Sequence, residues 1–111
     1  MSVQQTSSSA NLKTLSEHPL FKTGYFVNGE WKNAAQTFDV ENPATGDIVA
    51  KVARAGKAEP DAAINAASRA FPEWRKKTGK ARGEILHRWY TLMLENKQFL
   101  GELMVAEQGK P

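Results

Sequence analysis

The side chains in this sequence best suited to proton transfer or metal ligation are two histidines, His18 and His87, which lie far apart in the chain. A helical metal pair places its second ligand four residues on. After His87 that position is Thr91, so His87 reads as a surface or boundary residue of a helix. Ser7, Ser8 and Ser9 offer hydroxyls, but no base accompanies them, and a nucleophilic serine needs one. There is no cysteine, which excludes a thiol nucleophile, a thiolate metal site and a disulfide framework within these residues. Gly29, Gly46 and Gly56 are spaced too widely for a phosphate-cradling Gly-x-Gly-x-x-Gly, and none opens a helix straight after a strand. The residue types alone therefore outline neither a covalent-catalysis site nor a dinucleotide site.

Charge and length narrow the classes further. The chain has 111 residues and a formal charge of +3, from fifteen Lys and Arg against twelve Asp and Glu. A domain of this size buries roughly 65% of its unfolded surface, enough for one small core. Arg75-Lys76-Lys77, followed by Lys80, Arg82 and Arg88, is the densest basic stretch. Nucleic-acid binders concentrate charge in this way, but they add aromatic rings on which bases stack, and no such ladder accompanies these residues. The stretch reads as a solvated helix start and loop, without a nucleic-acid partner. No apolar run approaches the ~20 residues of a membrane span. The N-terminal residues are rich in Ser, Gln and Thr, and the first arginine is Arg54, which fits neither a secretory signal nor an Arg-rich presequence. A cytoplasmic protein without a membrane partner is the expectation.

The elements follow from local chemistry. Residues 1–19 are poor in bulky apolar side chains and are expected to form a mobile tail, with packing starting at Leu20. Pro19 biases His18 toward an extended backbone. Tyr25-Phe26-Val27 and Glu30-Trp31-Lys32 flank Asn28-Gly29, which predicts a two-residue type I′ hairpin because both central residues need positive φ. Thr37–Val40 and Asp47–Val52 predict a second strand pair, joined through the turn chemistry of Asn42-Pro43-Ala44-Thr45-Gly46. Strand alternation would put Ile48, Ala50 and Val52 on one face, with Val49 and Lys51 on the other.

Glu59-Pro60-Asp61 opens a helix, since proline suits the first turn and acids there complement the helix dipole. Ile64, Ala67 and Phe71 share a face with Ala63, Ala66 and Ala70 beside them, and Pro72 is expected to end that helix. Thr78 is the expected N-cap of the next helix. Ile85, Leu86, Trp89, Tyr90 and Met93 recur at helical spacing along it. Asn96 either caps a third helix or bends the second. Phe99, Leu100, Leu103 and Met104 continue the apolar face until Gly109 supplies a helix C-terminus, with Pro111 as a breaker.

Three ordered phrases carry a resemblance. Tyr25-Phe26-Val27-Asn28-Gly29-Glu30-Trp31, Asn42-Pro43-Ala44-Thr45-Gly46-Asp47 and Glu107-Gln108-Gly109-Lys110-Pro111 together resemble the N-terminal part of an NAD(P)-dependent aldehyde dehydrogenase. Glu17-His18-Pro19-Leu20-Phe21 and the closing phrase look most like the succinate-semialdehyde dehydrogenases of that family. The resemblance covers about Leu20 to Pro111. It implies an α/β parent fold with a Rossmann-type cofactor domain. Residues 20–111 would be an incomplete N-terminal part of that domain, with a hairpin and short antiparallel strands followed by two or three helices.

The implied function is that of an oxidoreductase. A family member attacks an aldehyde with a cysteine thiolate, passes hydride to NAD or NADP, and hydrolyses the resulting thioester with water activated by a carboxylate. The family's nucleophile, carboxylate base and cofactor-contacting residues come later than this stretch, so no catalytic and no cofactor-binding residue carries over. NAD or NADP belongs to the full-length parent, and none is expected to bind this chain alone. The parent would act on a small aldehyde, succinate semialdehyde by local wording, and would be a homo-oligomer. One family site falls partly inside. Backbone carbonyls before the Asn-Pro turn and an acid before Gly-Lys-Pro hold a monovalent cation, which by motif position implicates Val40, Glu41 and Glu107. Oxygen-rich ligation suits hard cations. Members with the clearest site more often carry Asp where this chain has the longer Glu107, and a solvated helix-end carboxylate is the other reading of that residue. A truncated, non-catalytic homologue acting as an interaction or regulatory module is the alternative reading of the whole chain.

Overall fold

The computed structural model describes residues 12–110, and the first feature it confirms is the hairpin. Tyr25–Val27 (β1) and Glu30–Lys32 (β2) pair antiparallel, with Phe26 opposite Trp31 and Val27 opposite Glu30. Asn28 has φ of 52° and Gly29 of 78°, the two positive values that a type I′ turn requires. The Phe26 and Trp31 rings pair across the strands with centroids 5.1 Å apart. Space is not what selects glycine at 29, because a Cβ there would meet nothing within 4 Å. The backbone is. Gly29→Val should destabilise the hairpin by about 1–2 kcal/mol, since a β-branched residue resists left-handed φ. Trp31 fluorescence during denaturation reads this directly, and a variant that unfolds with the parent would remove the turn assignment.

Gln36–Glu41 (β3) and Ile48–Arg54 (β4) form a second antiparallel pair. Their register slips between Val40, opposite Ala50, and Glu41, opposite Ile48, which marks a bulge at the end of β3. The Asn42–Asp47 turn closes through backbone bonds from Asn42 N–H to the Asp47 carbonyl and from Gly46 N–H to the Asn42 carbonyl, both 2.8 Å. Asp39 and Lys51 stand directly opposite and bond at 3.0 Å, although an exposed pair of this kind contributes little. Burial along β4 departs from the expected alternation. Val49, Ala50, Val52 and Ala53 are all half-buried, whereas Ile48 is exposed. The edge of β4 is tied to the segment before β1 by Ala53 N–H to the Thr23 carbonyl at 2.8 Å, and Val49 reaches the core. Two neighbours therefore cover it where strict alternation assumes one.

Three helices follow the strands: Ala58–Lys76 (α2), Gly79–Glu95 (α3) and Lys97–Gln108 (α4). The Glu59 carboxylate of α2 reaches back to accept the Gly56 N–H at 3.0 Å, while Lys57 makes no side-chain cap. Pro72 does not end α2, contrary to expectation; the helix runs on to Lys76. A proline there removes one bond, the one its N–H would donate to Ser68, and fits helical φ. Ser68 is exposed, so water can satisfy its carbonyl. Arg75 and Lys76 in the last turn favour the continuation. Thr78 caps α3 as predicted, its hydroxyl accepting from Ala81 N–H at 3.1 Å. Asn96 ends α3 without capping α4: its amide donates back to the Leu92 carbonyl at 2.9 Å. Gly109 closes α4 in the left-handed conformation, with φ of 71° and its N–H on the Val105 carbonyl at 2.8 Å.

The core sits at α4, and an unexpected partner covers it. Residues 12–17 are helical (α1), and Leu15, only 2% exposed, packs with Phe99 and Ala106. Leu12, Phe21, Val49 and Leu103 pack around them. The His18 ring stacks on Phe99 with centroids 3.8 Å apart and planes 8° off parallel, and its Nδ1 accepts the Leu20 N–H at 3.1 Å. The part of the expected tail that falls at residues 12–19 thus contributes core, because two leucines at i and i+3 are enough to cover one helix face. Residues 1–11 lie outside the described residues.

Elsewhere the apolar faces have no cover among the described residues. The small side of α2 meets the hairpin: Ala63, Ala66, Ala67 and Ala70 line a hollow with Phe26 and Val27, and Ala66 is buried. Ile64 and Phe71 on the same helix remain 63% and 56% exposed. No residue of α3 is buried, and Ile85, Leu86, Trp89, Tyr90 and Met93 are all exposed. The radius of gyration is 17.6 Å, against about 13 Å for a compact domain of about 100 residues. The chain is an open, mixed α/β arrangement.

Candidate functional site

Two pieces distant in sequence meet where β3 ends and α4 ends. On the strand side are the bulge at Val40 and Glu41 and the turn that begins at Asn42, whose Oδ1 accepts the Ala44 N–H at 2.9 Å. On the helix side are Glu107 and the C-capping Gly109. They touch at Gly109. A Cβ on that residue would stand 2.9 Å from the Ala44 nitrogen, 3.1 Å from its methyl and 3.2 Å from Asn42 Oδ1. Only glycine serves both the left-handed cap and this approach.

The contact places Glu107 beside the end of β3. Val40 and Glu107 line one cleft of about 180 Å³, walled by apolar residues that include Leu20, Trp31, Val49 and Leu103. Glu41 stands at the bulge opposite Ile48 and is not part of that lining. Of the three residues expected together, the structure joins Val40 with Glu107 in one cleft and leaves Glu41 next to it. It also adds Lys22, which the sequence reading missed. Nothing local could have revealed it, because a residue before β1 meets the end of α4 only through the fold. A larger hollow of about 400 Å³ opens between α1 and α4, but it contains none of Val40, Glu41 and Glu107.

The remaining candidates resolve into structural roles. His18 is half-buried and stacked on Phe99, while His87 is exposed, its ring centroid 5.6 Å from that of Tyr90. Among the described residues no three His, Cys, Asp or Glu converge as a metal cluster. Nor is any helix among them long and apolar enough to cross a membrane. Gly29 and Gly46 lie in turns between antiparallel strands, at φ of 78° and 77°. A strand, two-residue hairpin and bulged strand pair, followed by a glycine-capped helix seated on the Asn42 turn, is an arrangement that can be compared with known proteins.

A profile of the Aldehyde dehydrogenase family matches residues 31–111. The chain belongs to the aldehyde dehydrogenase family. The 3-sulfolactaldehyde dehydrogenase of Pseudomonas putida is 50% identical to it over 99 residues, covering 87% of this chain and 20% of that protein. The NADP(+) succinate-semialdehyde dehydrogenase of Escherichia coli is 46% identical over 99 residues, with the same shares of 87% and 20%. In structure, the succinate-semialdehyde dehydrogenase of Burkholderia pseudomallei superposes with a TM-score of 0.80 at 41% identity, over 86% of this chain and 20% of that one. The chain therefore spans about a fifth of the length of the relatives it matches.

Within an aldehyde dehydrogenase these elements belong to a mixed α/β fold, as the phrases implied. Members are NAD(P)-dependent oxidoreductases acting on aldehydes. The described residues give no observation that fits a nicotinamide dinucleotide: no glycine-rich turn opens a helix after a strand, and the cleft at Glu107 is small and apolar-walled. No reaction step can be derived from them.

Proposed function

We propose that this chain forms the N-terminal section of a dehydrogenase that oxidises an aldehyde bearing a distal anionic group, succinate semialdehyde in the first instance, to the carboxylic acid with NAD or NADP. The relatives at 46–50% identity support the substrate class, because sulfolactaldehyde and succinate semialdehyde share that anionic end. Residues 20–111 are the start of its cofactor-binding domain, and the enzyme is a cytoplasmic homo-oligomer. The section contributes the hairpin and the outer helices. It contributes neither the thiolate that attacks the aldehyde nor a group that holds the dinucleotide. Val40, Glu41 and Glu107 are a position for a monovalent cation, supported by the cleft that Val40 and Glu107 share.

The observation that carries this reading is the bare apolar surface of α2 and α3. Ile64, Phe71, Ile85, Trp89 and Met93 would each be stabilised by roughly 1.5–3 kcal/mol on full burial, and they are 43–63% exposed. The rest of a dehydrogenase fold is the partner that would cover them. Alone, the purified 111-residue protein should show no succinate-semialdehyde-dependent change in nicotinamide absorbance. It should bind a dye specific for exposed apolar surface, and its Trp31, Trp74 and Trp89 should give a weak near-ultraviolet dichroism. Steady turnover above a blank would overturn the division of labour. A sharp, monomeric, two-state melt without dye binding would favour an independent interaction module instead.

A further inference from the structure

The cleft beside Glu107 has two charged residues in its lining among the described residues: Glu107 itself and Lys22. The rest is apolar apart from backbone, with Leu20, Trp31, Val40 and Leu103 among its walls. Ion pairs among the described residues join Lys51 to Asp39 and Lys76 to Glu73, so Lys22 and Glu107 face one cleft without being bonded to each other. A lysine is a compact point charge on a flexible four-carbon stem. In a space of about 180 Å³ a change of rotamer moves it toward the carboxylate.

We propose that Lys22 is a built-in competitor for the cation that Glu107 attracts, so that its ammonium takes the place a free potassium or sodium ion would otherwise hold. This rests on the reading of Val40, Glu41 and Glu107 as a cation position. The physical reason is mutual exclusion of like charges. Apolar walls lower the effective dielectric below that of water, so an ammonium and a metal ion sharing one small cleft repel more than they would on an open surface. Both side chains also remain accessible to solvent, and exposed ammonium–carboxylate pairs are weak. Lys22 therefore weakens ion binding without abolishing it. Segments far apart in the chain thus set the cation requirement between them: the residue before the hairpin, and the last turn of α4.

Potassium chloride titration of the 111-residue protein tests this, with choline chloride holding ionic strength constant and the amide shifts of Glu41 and Glu107 as readout. The parent should saturate only at high potassium. Lys22→Met should lower the half-saturating concentration about tenfold, the size expected for removing one nearby like charge. Lys22→Arg, which keeps the charge, should behave as the parent, and Glu107→Gln should abolish saturation. If the parent and Lys22→Met saturate together while Glu107→Gln does not respond, the competitor role is overturned and the cation position stands. If none of the four proteins shows a saturable, potassium-specific response, the cation position itself is overturned, and the competitor with it.

Discussion

Phe99→Ala should detach α1 from α4 and cost about 3–5 kcal/mol, the usual penalty for emptying an aromatic site in a core. Phe99 is the largest side chain in the buried cluster, and it does two jobs there. Its flank packs with Leu15 and Ala106, and its face carries the His18 ring at 3.8 Å. Few other contacts hold α1, so the loss has little to fall back on. Amide exchange localises the effect: His18, Phe21 and Leu100, whose N–H groups bond to Leu15, His18 and Asn96, should lose protection, while the β3–β4 ladder keeps its own. Unchanged protection at His18 and Phe21 would show that α1 docks without Phe99. His18→Leu makes a useful companion, because it keeps apolar contact with Phe99 while removing the acceptor for the Leu20 N–H.

Gly109→Val should be nearly as costly, at about 2–5 kcal/mol, because two penalties coincide at one residue. The left-handed conformation costs a non-glycine residue about 1–2 kcal/mol, and φ here is 71°. The side chain would also press on the Ala44 backbone nitrogen, 2.9 Å from the Cβ position, and overpacking of that sort costs about 1–3 kcal/mol. Backbone cannot swing aside as the end of a lysine can. The expected outcome is loss of the αL cap together with displacement of the Asn42 turn, seen as paired amide-shift changes at Val105–Gly109 and at Asn42–Gly46. Gly109→Asn separates the two terms, since asparagine tolerates positive φ but still carries a Cβ. If Gly109→Asn matches the parent in shift and stability, the close approach to Ala44 is not what constrains this position.

Much of the architecture is written in short stretches of the sequence, because the forces that decide it act between neighbours. Asn28-Gly29 specifies a hairpin through the φ values those two residues tolerate. Thr78 specifies a helix start through a hydroxyl three residues from the amide it satisfies, and Gly109 a helix end through its missing Cβ. The family phrases are of the same kind: each is a turn or a cap, and turns and caps are where single residue types are hardest to replace. Pro72 shows the limit of even a local rule. A proline stops a helix when the freed carbonyl has nowhere to turn, and whether water reaches Ser68 depends on what lies above it.

Contacts between distant segments were decided by the tertiary structure alone. Leu12 and Leu15 look like part of a polar tail until α4 presents Phe99 and Ala106 to them, since two apolar side chains signal nothing without the surface they cover. Val40 and Glu107 could be paired in sequence only by resemblance; the seat of Gly109 on the Asn42 turn is what puts them on one cleft. Lys22 had no sequence signal at all, and its place in that cleft follows from where Leu20 and Phe21 anchor the chain ahead of β1. Backbone preference is a property of a few adjacent residues, so it can be read in order along the chain. Burial and charge proximity depend on which segments the fold brings together, so they become visible only once α4 lies against α1 and the end of β3.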